Sequence, residues 1–310
     1  MRLVYMGTPA FAEPTLRQLH FSHHQVVSVV TGLDKPVGRG QRVKSPPVKR
    51  LAQDLDYPIL QPARLKDEAF YSQLVDLAAD ILVVVAFRIL PDSLLSLTPH
   101  GAINLHPSLL PRYRGAAPIQ HCLLDGETTT GITTIALTPT IDAGNILLQR
   151  NCDIFPNDDF GSLSERLAQL GAELVVDTLD KMEQDDIIPQ PQSRLVEGDI
   201  PGAPKIRPED YIIRWKDSAA AIRNQIRAFS PKPGAATLFE GQRMKLFKAE
   251  VNHGHGDPGE ILQIDQGQLQ IGTGEGILAV SEVQLEGRRR MKVDDFLRGT
   301  VIPPGTRLGF

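Results

Sequence analysis

The sequence predicts an α/β chain: a doubly wound, mostly parallel, Rossmann-like sheet, followed by a small OB-like β-barrel. Three observations predict it. Apolar strand-like runs alternate with helix-like stretches through the first half, the pattern of consecutive β-α-β units. Periodicity then stops between Ile187 and Pro208, a stretch with five prolines and two glycines. Beyond it, Gly234 to Ser281 divides into short β-prone runs separated by glycines, as in a small barrel.

Taken in order, Leu3 to Met6 is an apolar run that enters the loop Gly7-Thr8-Pro9, with Leu16 and Leu19 marking a helical face behind it. Val26 to Val30 is β-branched except at Ser28. Asp80 to Ala86 is apolar on both faces, as a central parallel strand covered by helices must be. A single glycine followed by Pro9 lacks the G-x-G-x-x-G spacing, which argues against a dinucleotide cradle in the first loop. Phe160 to Met182 reads as one long helix, with Leu163, Leu167, Leu170, Leu174 and Leu179 on related faces. Pro and Gly density then marks a linker, so the expected domains are 1–189 and 208–310, joined by 190–207. Ser218 to Phe229 has a second helical pattern, and no internal repeat or low-complexity tract is evident.

With 41% hydrophobic and 23% charged residues in a chain of 310, there is enough apolar material for two cores. No run approaches the roughly 18 apolar residues of a membrane span. The start, MRLVYMGTPAF, lacks a secretory apolar region; a cytoplasmic protein is expected. Cys122 and Cys152 have neither metal nor redox spacing and are expected to be buried, inert thiols. His20, His23 and His24 cluster near a helix end, but no carboxylate or thiol completes a metal set with them, so no metal is expected. Asp158 and Asp159 precede the long helix as capping charges.

The net charge of −4 is unevenly spread. Between Leu33 and Arg50, Lys35, Arg39, Arg42, Lys44, Lys49 and Arg50 face the single acid Asp34. Between Ala203 and Lys248 there are ten Lys or Arg against four Asp or Glu. Two basic stretches on an acidic chain fit a phosphate-rich partner.

The chemistry concentrates in Gly101-Ala-Ile-Asn-Leu-His-Pro-Ser-Leu-Leu-Pro-Arg-Tyr-Arg-Gly115. Asn104 and His106 are two apart at the end of a strand-like run, so their side chains leave on the same face. Pro107 ends the strand. An amide beside an imidazole offers a donor for a developing oxyanion and a proton carrier, although a histidine here serves equally as a buried structural side chain. Asp142 sits in the turn Thr138-Pro-Thr-Ile-Asp-Ala-Gly144, after the strand-like Ile132 to Leu137. A carboxylate near His106 would orient the ring and favour its protonated form.

Asn104-x-His106, SLLPRYRG (Ser108 to Gly115) and Asp142-Ala-Gly144 together resemble the signature of the folate-dependent formyltransferases. Further segments are similar to the tRNA-directed members of that family: GTPAFA (Gly7 to Ala12), DKPVGRGQRVKSPPVK (Asp34 to Lys49), GAAPIQ (Gly115 to Gln120), Pro204-Lys-Ile and PKPGAAT (Pro231 to Thr237). The resemblance implies formyl transfer from 10-formyltetrahydrofolate to the amino group of methionine on charged initiator tRNA, in a monomer without metal. It implies a tetrahedral intermediate whose oxyanion is held by Asn104 and protonated His106, with Asp142 keeping His106 charged and relaying the amine's proton. It places folate against Phe87, Arg88, Ile89 and Leu90, the approach Leu137 to Ile141, and the backbone of Ser108, Leu109, Leu110 and Pro111. Two departures fall here: Phe87-Arg88 stands where the family commonly has Tyr-Gly, and Thr138-Pro-Thr-Ile replaces its Met-x-x-Gly-Leu approach. The basic insertion, through Arg39, Arg42 and Lys44, would enter the acceptor stem. The C-terminal barrel would add Lys205, Arg207, Lys245 and Lys248, with Arg223, along the tRNA backbone. Two other readings remain open: an N-formyltransferase acting on a sugar nucleotide, and a catalytically silent module binding tRNA or folate.

Overall fold

The computed structural model describes residues 1–37, 42–195, 198–265, 267–303 and 305–309. Arg39 lies outside the described residues, as does the side chain of Arg42. Two compact units are present: Met1–Gly115 with Thr129–Asp153 and Ser164–Gly202, and Ala116–Thr128 with Ile154–Leu163 and Ala203–Phe310.

The first elements are β1 (Arg2–Gly7), α1 (Glu13–His20), β2 (Gln25–Val30), the hairpin β3 (Lys35–Val37) and β4 (Arg42–Lys44), and α2 (Pro47–Asp54). There follow β5 (Ile59–Leu60), α3 (Glu68–Asp76), β6 (Ile81–Val85), α4 (Asp92–Leu95), β7 (Ala102–His106) and β8 (Arg114–Gly115). Next come α5 (Pro118–Leu124), β9 (Thr129–Ala136), β10 (Ile146–Asp153), α6 (Phe160–Glu183) and β11 (Gly202–Ala203). The chain ends with α7 (Ala219–Phe229), β12 (Ala235–Phe239), β13 (Gln242–Asn252), β14 (Ile261–Asp265), β15 (Gln268–Gly272), β16 (Ile277–Leu285), β17 (Met291–Lys292) and α8 (Val293–Leu297).

In the first unit one sheet has the order β5-β2-β1-β6-β7-β9-β10. The strands from β5 to β7 are parallel, and β9 and β10 then add antiparallel. This is the doubly wound, mostly parallel sheet expected. Leu3 to Met6 and Ile81 to Val85 are at most 4% exposed, which only strands covered on both faces can be. On one face Leu82, Val84 and Ala102 pack with Phe70 and Leu74 of α3 and Leu94 of α4. The period of two carries that face on to Asn104 and His106. The opposite face of β7 is closed by α6, which approaches so nearly that a Cβ on Gly171 would lie 2.5 Å from Leu105 Cδ2. Thr178 of α6 and Thr134 of β9 share a buried hydroxyl hydrogen bond of 2.8 Å.

The fold also supplies the carboxylates that the histidine cluster lacks in sequence. His24 Nε2 meets Asp180 Oδ1 at 2.9 Å, and His23 Nε2 meets Glu183 Oε2 at 2.9 Å. His23, His24 and Glu183 thus form a group with metal-ligand chemistry, and the expectation that no carboxylate stands near them is corrected. Among the described residues no helix is long and apolar enough to cross a membrane. Cys122 and Cys152 are buried and form no disulfide.

In the second unit the antiparallel order is β12-β13-β16-β15-β14, with β17 on β16. The open edges are joined by the segment 306–309. Leu308 N–H donates to Gly259 O (2.7 Å) and Ile261 N–H to Thr306 O (2.9 Å), while Leu238 N–H donates to Gly309 O (3.0 Å). That closure turns the sheet into a barrel and removes its edges. Inside, Trp215 Nε1 donates to Thr237 Oγ1 at 3.0 Å, and the Phe239 and Phe296 rings meet edge to face. Helix α7, N-capped by the Ser218 hydroxyl on Ala221 N–H, packs on this barrel and on α5.

Leu308 is 4% exposed within the barrel core. Leu308→Ala should therefore destabilise the second unit by about 2–5 kcal/mol, read as an earlier urea-unfolding transition.

Candidate active site

The last residues of β7 carry Asn104, half-buried, and His106, 4% exposed. His106 Nε2 lies 2.9 Å from the carbonyl oxygen of Tyr113. A carbonyl only accepts, so Nε2 holds the hydrogen. The other nitrogen, Nδ1, faces Asp142 Oδ1 at 3.7 Å, beyond a direct hydrogen bond. Burial is the largest influence on the ring and pushes its pKa down; the Asp142 charge and the Tyr113 carbonyl push it up, and Arg114 pushes it down. The net direction is downward. The expectation of a His106 kept protonated is thus corrected for the ligand-free protein, because desolvation outweighs a carboxylate at this distance.

Asp142 is held from several sides. Its Oδ2 accepts from Gly115 N–H at 3.0 Å. The Gln192 amide donates to Asp142 O at 2.8 Å and to Gly144 O at 2.7 Å. Gly144 passes so close to β9 that a Cβ would fall 1.6 Å from Ala136 O. Ala86, Tyr113 and Asp142, all near the site, have φ of +47°, +58° and +50°. Such left-handed non-glycine residues cost on the order of 1–3 kcal/mol each and persist where the surroundings over-determine them. Sequence reasoning missed Gln192, which lies in the proline-rich stretch.

Beside Asn104 and Asp142 opens a cleft of about 100 Å³, lined also by Val84, Phe87, Arg88, Ile89, Leu90, Leu95, Leu137, Thr138, Pro139 and Ile141. The two segments that depart from the family pattern thus build this cleft together. Ile89 and Ile141 are 71% and 54% exposed, an apolar rim open to a ligand. The Arg88 guanidinium donates to the carbonyls of Pro62 (2.9 Å) and Ala63 (3.1 Å). Ser108, Leu109, Leu110 and Pro111 do not line the cleft. Thr133 Oγ1 donates to Ser108 O (2.7 Å) and accepts from Leu110 N–H (3.2 Å), and Gln149 Nε2 donates to Leu110 O (2.8 Å). Leu110 packs with Ile135 and Ile146.

An imidazole, an amide and a carboxylate are groups that acyl transfer can use; Asn104 and Asp142 line the apolar cleft and His106 stands beside Asp142. Sequence comparison gives the same direction. The formyl transferase family profile matches residues 1–179, and its C-terminal domain profile matches residues 205–301. Methionyl-tRNA formyltransferase from Geobacter sulfurreducens is 44% identical over 310 residues, covering 100% of this chain and 97% of the relative. The chain belongs to the formyl transferase family. The methionyl-tRNA formyltransferase of Pelotomaculum thermopropionicum is 43% identical, covering 100% of this chain and 99% of its own. Among solved structures, the Helicobacter canadensis N-formyltransferase with folinic acid and dTDP-3-aminofucose shares the fold at TM-score 0.68 and 18% identity, covering 93% of this chain and 99% of that one. HypX of Aquifex aeolicus with tetrahydrofolic acid shares it at TM-score 0.64 and 18% identity over 98% of this chain, which spans 49% of HypX.

The basic residues fall into separate settings. In the β3–β4 hairpin Lys35 stands opposite Lys44, and neither has a carboxylate partner among the described residues. Both line a cavity of about 400 Å³ with Thr8, Gly32, Leu33, Ser45, Pro46 and Arg88. Lys49, by contrast, is paired with Asp34 at 2.7 Å, which holds the Asp34 carboxyl below its ordinary range. In the second unit Lys205 and Arg207 are exposed. Lys245 lines one cleft with Arg243 and Gln284, and Lys248 another with Arg223, Arg227 and Arg290. A register irregularity at Lys248 separates the two lysines. Arg290 pairs with Glu282 through two hydrogen bonds and lies 4.4 Å from the Phe247 ring centroid.

A histidine whose folded pKa is depressed stabilises the fold above the unfolded value, about 6.5, and loses that contribution as pH falls below it. Wild-type stability should thus drop more steeply below about pH 6.5 than that of His106→Asn, by up to about 1.4 kcal/mol per pH unit, in urea unfolding across pH. Parallel curves would show that His106 charges freely in the fold.

Proposed function

We propose that the chain transfers a formyl group from 10-formyltetrahydrofolate to the amino group of methionine on charged initiator tRNA, as a cytoplasmic monomer. The observation that carries this reading is a cleft lined by both Asn104 and Asp142, with buried His106 presenting Nδ1 to Asp142 at 3.7 Å. Full-length similarity to methionyl-tRNA formyltransferases supports the acceptor. The residues fit the co-substrate: Val84, Leu90, Leu95 and Leu137 offer apolar walls to a flat ring, and polar groups gather at Asn104 and Asp142. When bound, 10-formyltetrahydrofolate supplies the formyl group.

As the amine adds to the formyl carbon, Asn104 donates to the oxygen that gains negative charge. Neutral His106, with Nε2 committed to Tyr113 O, has only Nδ1 free to take the amine's proton, directly or through one water. The cation so formed sits by the Asp142 carboxylate, which stabilises it. Breaking the bond between the formyl carbon and the folate nitrogen would then pass that proton to the departing nitrogen, release tetrahydrofolate and return His106 to its neutral form.

For the acceptor, Lys35, Lys44 and Arg88 around the larger cavity provide phosphate donors, joined in sequence by Arg39 and Arg42. Lys205, Arg207, Lys245 and Lys248 are proposed to contact the tRNA backbone.

Formyl transfer assayed side by side on charged initiator and elongator methionyl-tRNA should strongly favour the initiator. No transfer to either, from folded protein that binds folate, would move the acceptor to a sugar nucleotide. Asn104→Ala should lower kcat by about 100- to 1000-fold with folate affinity kept; near-normal turnover would remove Asn104 from the mechanism. Lys44→Ala should weaken tRNA binding and reduce the slope of log affinity against log salt by about 1, measured by titration at several salt concentrations.

A further inference from the structure

We propose that Gln192, braced by Arg114, is the positioning residue that fixes Asp142 for formyl transfer. Gln192 is 2% exposed, and its amide is fully used. Both Nε2 hydrogens are donated, to Asp142 O at 2.8 Å and Gly144 O at 2.7 Å. Its Oε1 accepts from Arg114 Nε at 2.9 Å and from Arg114 Nη2 at 2.6 Å. Two donors and two accepted bonds exhaust what a carboxamide offers. A glutamate lacks the donors, a methionine lacks both functions, and an asparagine is one methylene short.

The bridge acts on Asp142 twice. Through the two carbonyls it pins the main chain of the turn, where Asp142 has φ of +50°. Through Arg114 it pins the strand that leads to Gly115, whose N–H holds Asp142 Oδ2 at 3.0 Å. Loss of the amide would leave two buried acceptors and one guanidinium unpaired, and the turn would relax away from the left-handed conformation. Asp142 would then leave its place 3.7 Å from His106 Nδ1. Gln192 touches no reacting atom, so its effect runs entirely through Asp142. The role rests on the reading that Asp142 serves formyl transfer.

The test uses the full chain with Gln192→Met and Gln192→Glu, the second keeping a partner for Arg114. Both should fold and lose about 100-fold in kcat on charged initiator methionyl-tRNA, the scale of a misplaced catalytic group. KM for folate and tRNA should stay within about twofold, the split expected of an interaction used in the transition state. In Gln192→Met the Gly115 amide should exchange with solvent faster, and the His106 imidazole, followed by NMR, should titrate at lower pH than in the wild type. Should either variant fail to fold, Arg114→Lys, which keeps one bond to Gln192, should give a smaller change of the same kind. Unchanged kcat in a folded variant would overturn the proposal. So would a fall in kcat with Gly115 exchange and His106 titration as in the wild type, since that marks a general structural defect. If the wild type transfers no formyl group to methionyl-tRNA, the functional reading fails instead, and the exchange and titration measurements still decide whether Gln192 holds Asp142.

Discussion

The site depends on a buried imidazole set between two groups that only accept hydrogen bonds. Tyr113 O takes the hydrogen on His106 Nε2, and Asp142 faces Nδ1 without reaching it. Burial favours the neutral ring, while the carboxylate makes a second proton less costly than it would be in an apolar pocket. The result is a vacancy for one proton beside an amide donor. Neither partner of His106 alone would create it. A donor in place of Asp142 would fill Nδ1, and solvent in place of Tyr113 O would free the ring to exchange tautomers.

Holding these groups together falls to the edge where the sheet changes direction. Pairing of His106 with Thr133 sets β9 beside the end of β7, and Thr133 then serves both the Ser108 carbonyl and the Leu110 N–H. The SLLP run is therefore fixed to β9 by hydrogen bonds and to the core by Leu110, and it does not line the cleft. On the far side of β7 a glycine in α6 admits Leu105 at close range. The strand bearing Asn104 and His106 is thus clamped from two sides, which is what a geometry useful to a transition state requires.

How much of this was legible follows from the range of each interaction. Strands β1 and β6 announce themselves because both faces are buried and every residue must be apolar. The period of two in β7 places Asn104 and His106 on one face without knowledge of any partner, and the composition of 138–144 declares a turn. The left-handed conformation of Asp142 is not legible, since Gln192, which holds its carbonyl, lies fifty residues on in a segment whose prolines and glycines signal only a linker. Asp180 and Glu183 reach the histidine cluster from the end of α6, again far away in sequence. The downward push of burial on the His106 pKa was not legible for a related reason. Proximity to a carboxylate can be guessed from motif spacing, whereas desolvation belongs to the folded environment as a whole. In β13 strict alternation from Met244 and Leu246 would turn Lys248 inward, and an irregularity of register at that residue, invisible to a pattern of alternation, leaves it exposed instead.

The points where local rules are broken show where the sequence serves something other than stability. Lys35 and Lys44 lie directly opposite in a two-stranded hairpin, an arrangement that costs free energy unless an anion lies near. Asp34, the single acid between Leu33 and Arg50, is already committed to Lys49 and Gln61, so it does not relieve the repulsion. A neutral or acidic side chain at either position would strengthen the hairpin; two lysines weaken it in the absence of a partner and favour the phosphate-bound state by the same interaction. Ala86, Tyr113 and Asp142 follow the same logic at the cleft, each held against its own backbone preference. Sequences that fold consistently at every level are expected to depart from that consistency at functional sites. Left-handed residues also occur away from the cleft, at Asp56, Ala78 and Asp185, so strain alone does not mark a site; what distinguishes Asp142 is that its strained turn carries a carboxylate facing a buried imidazole.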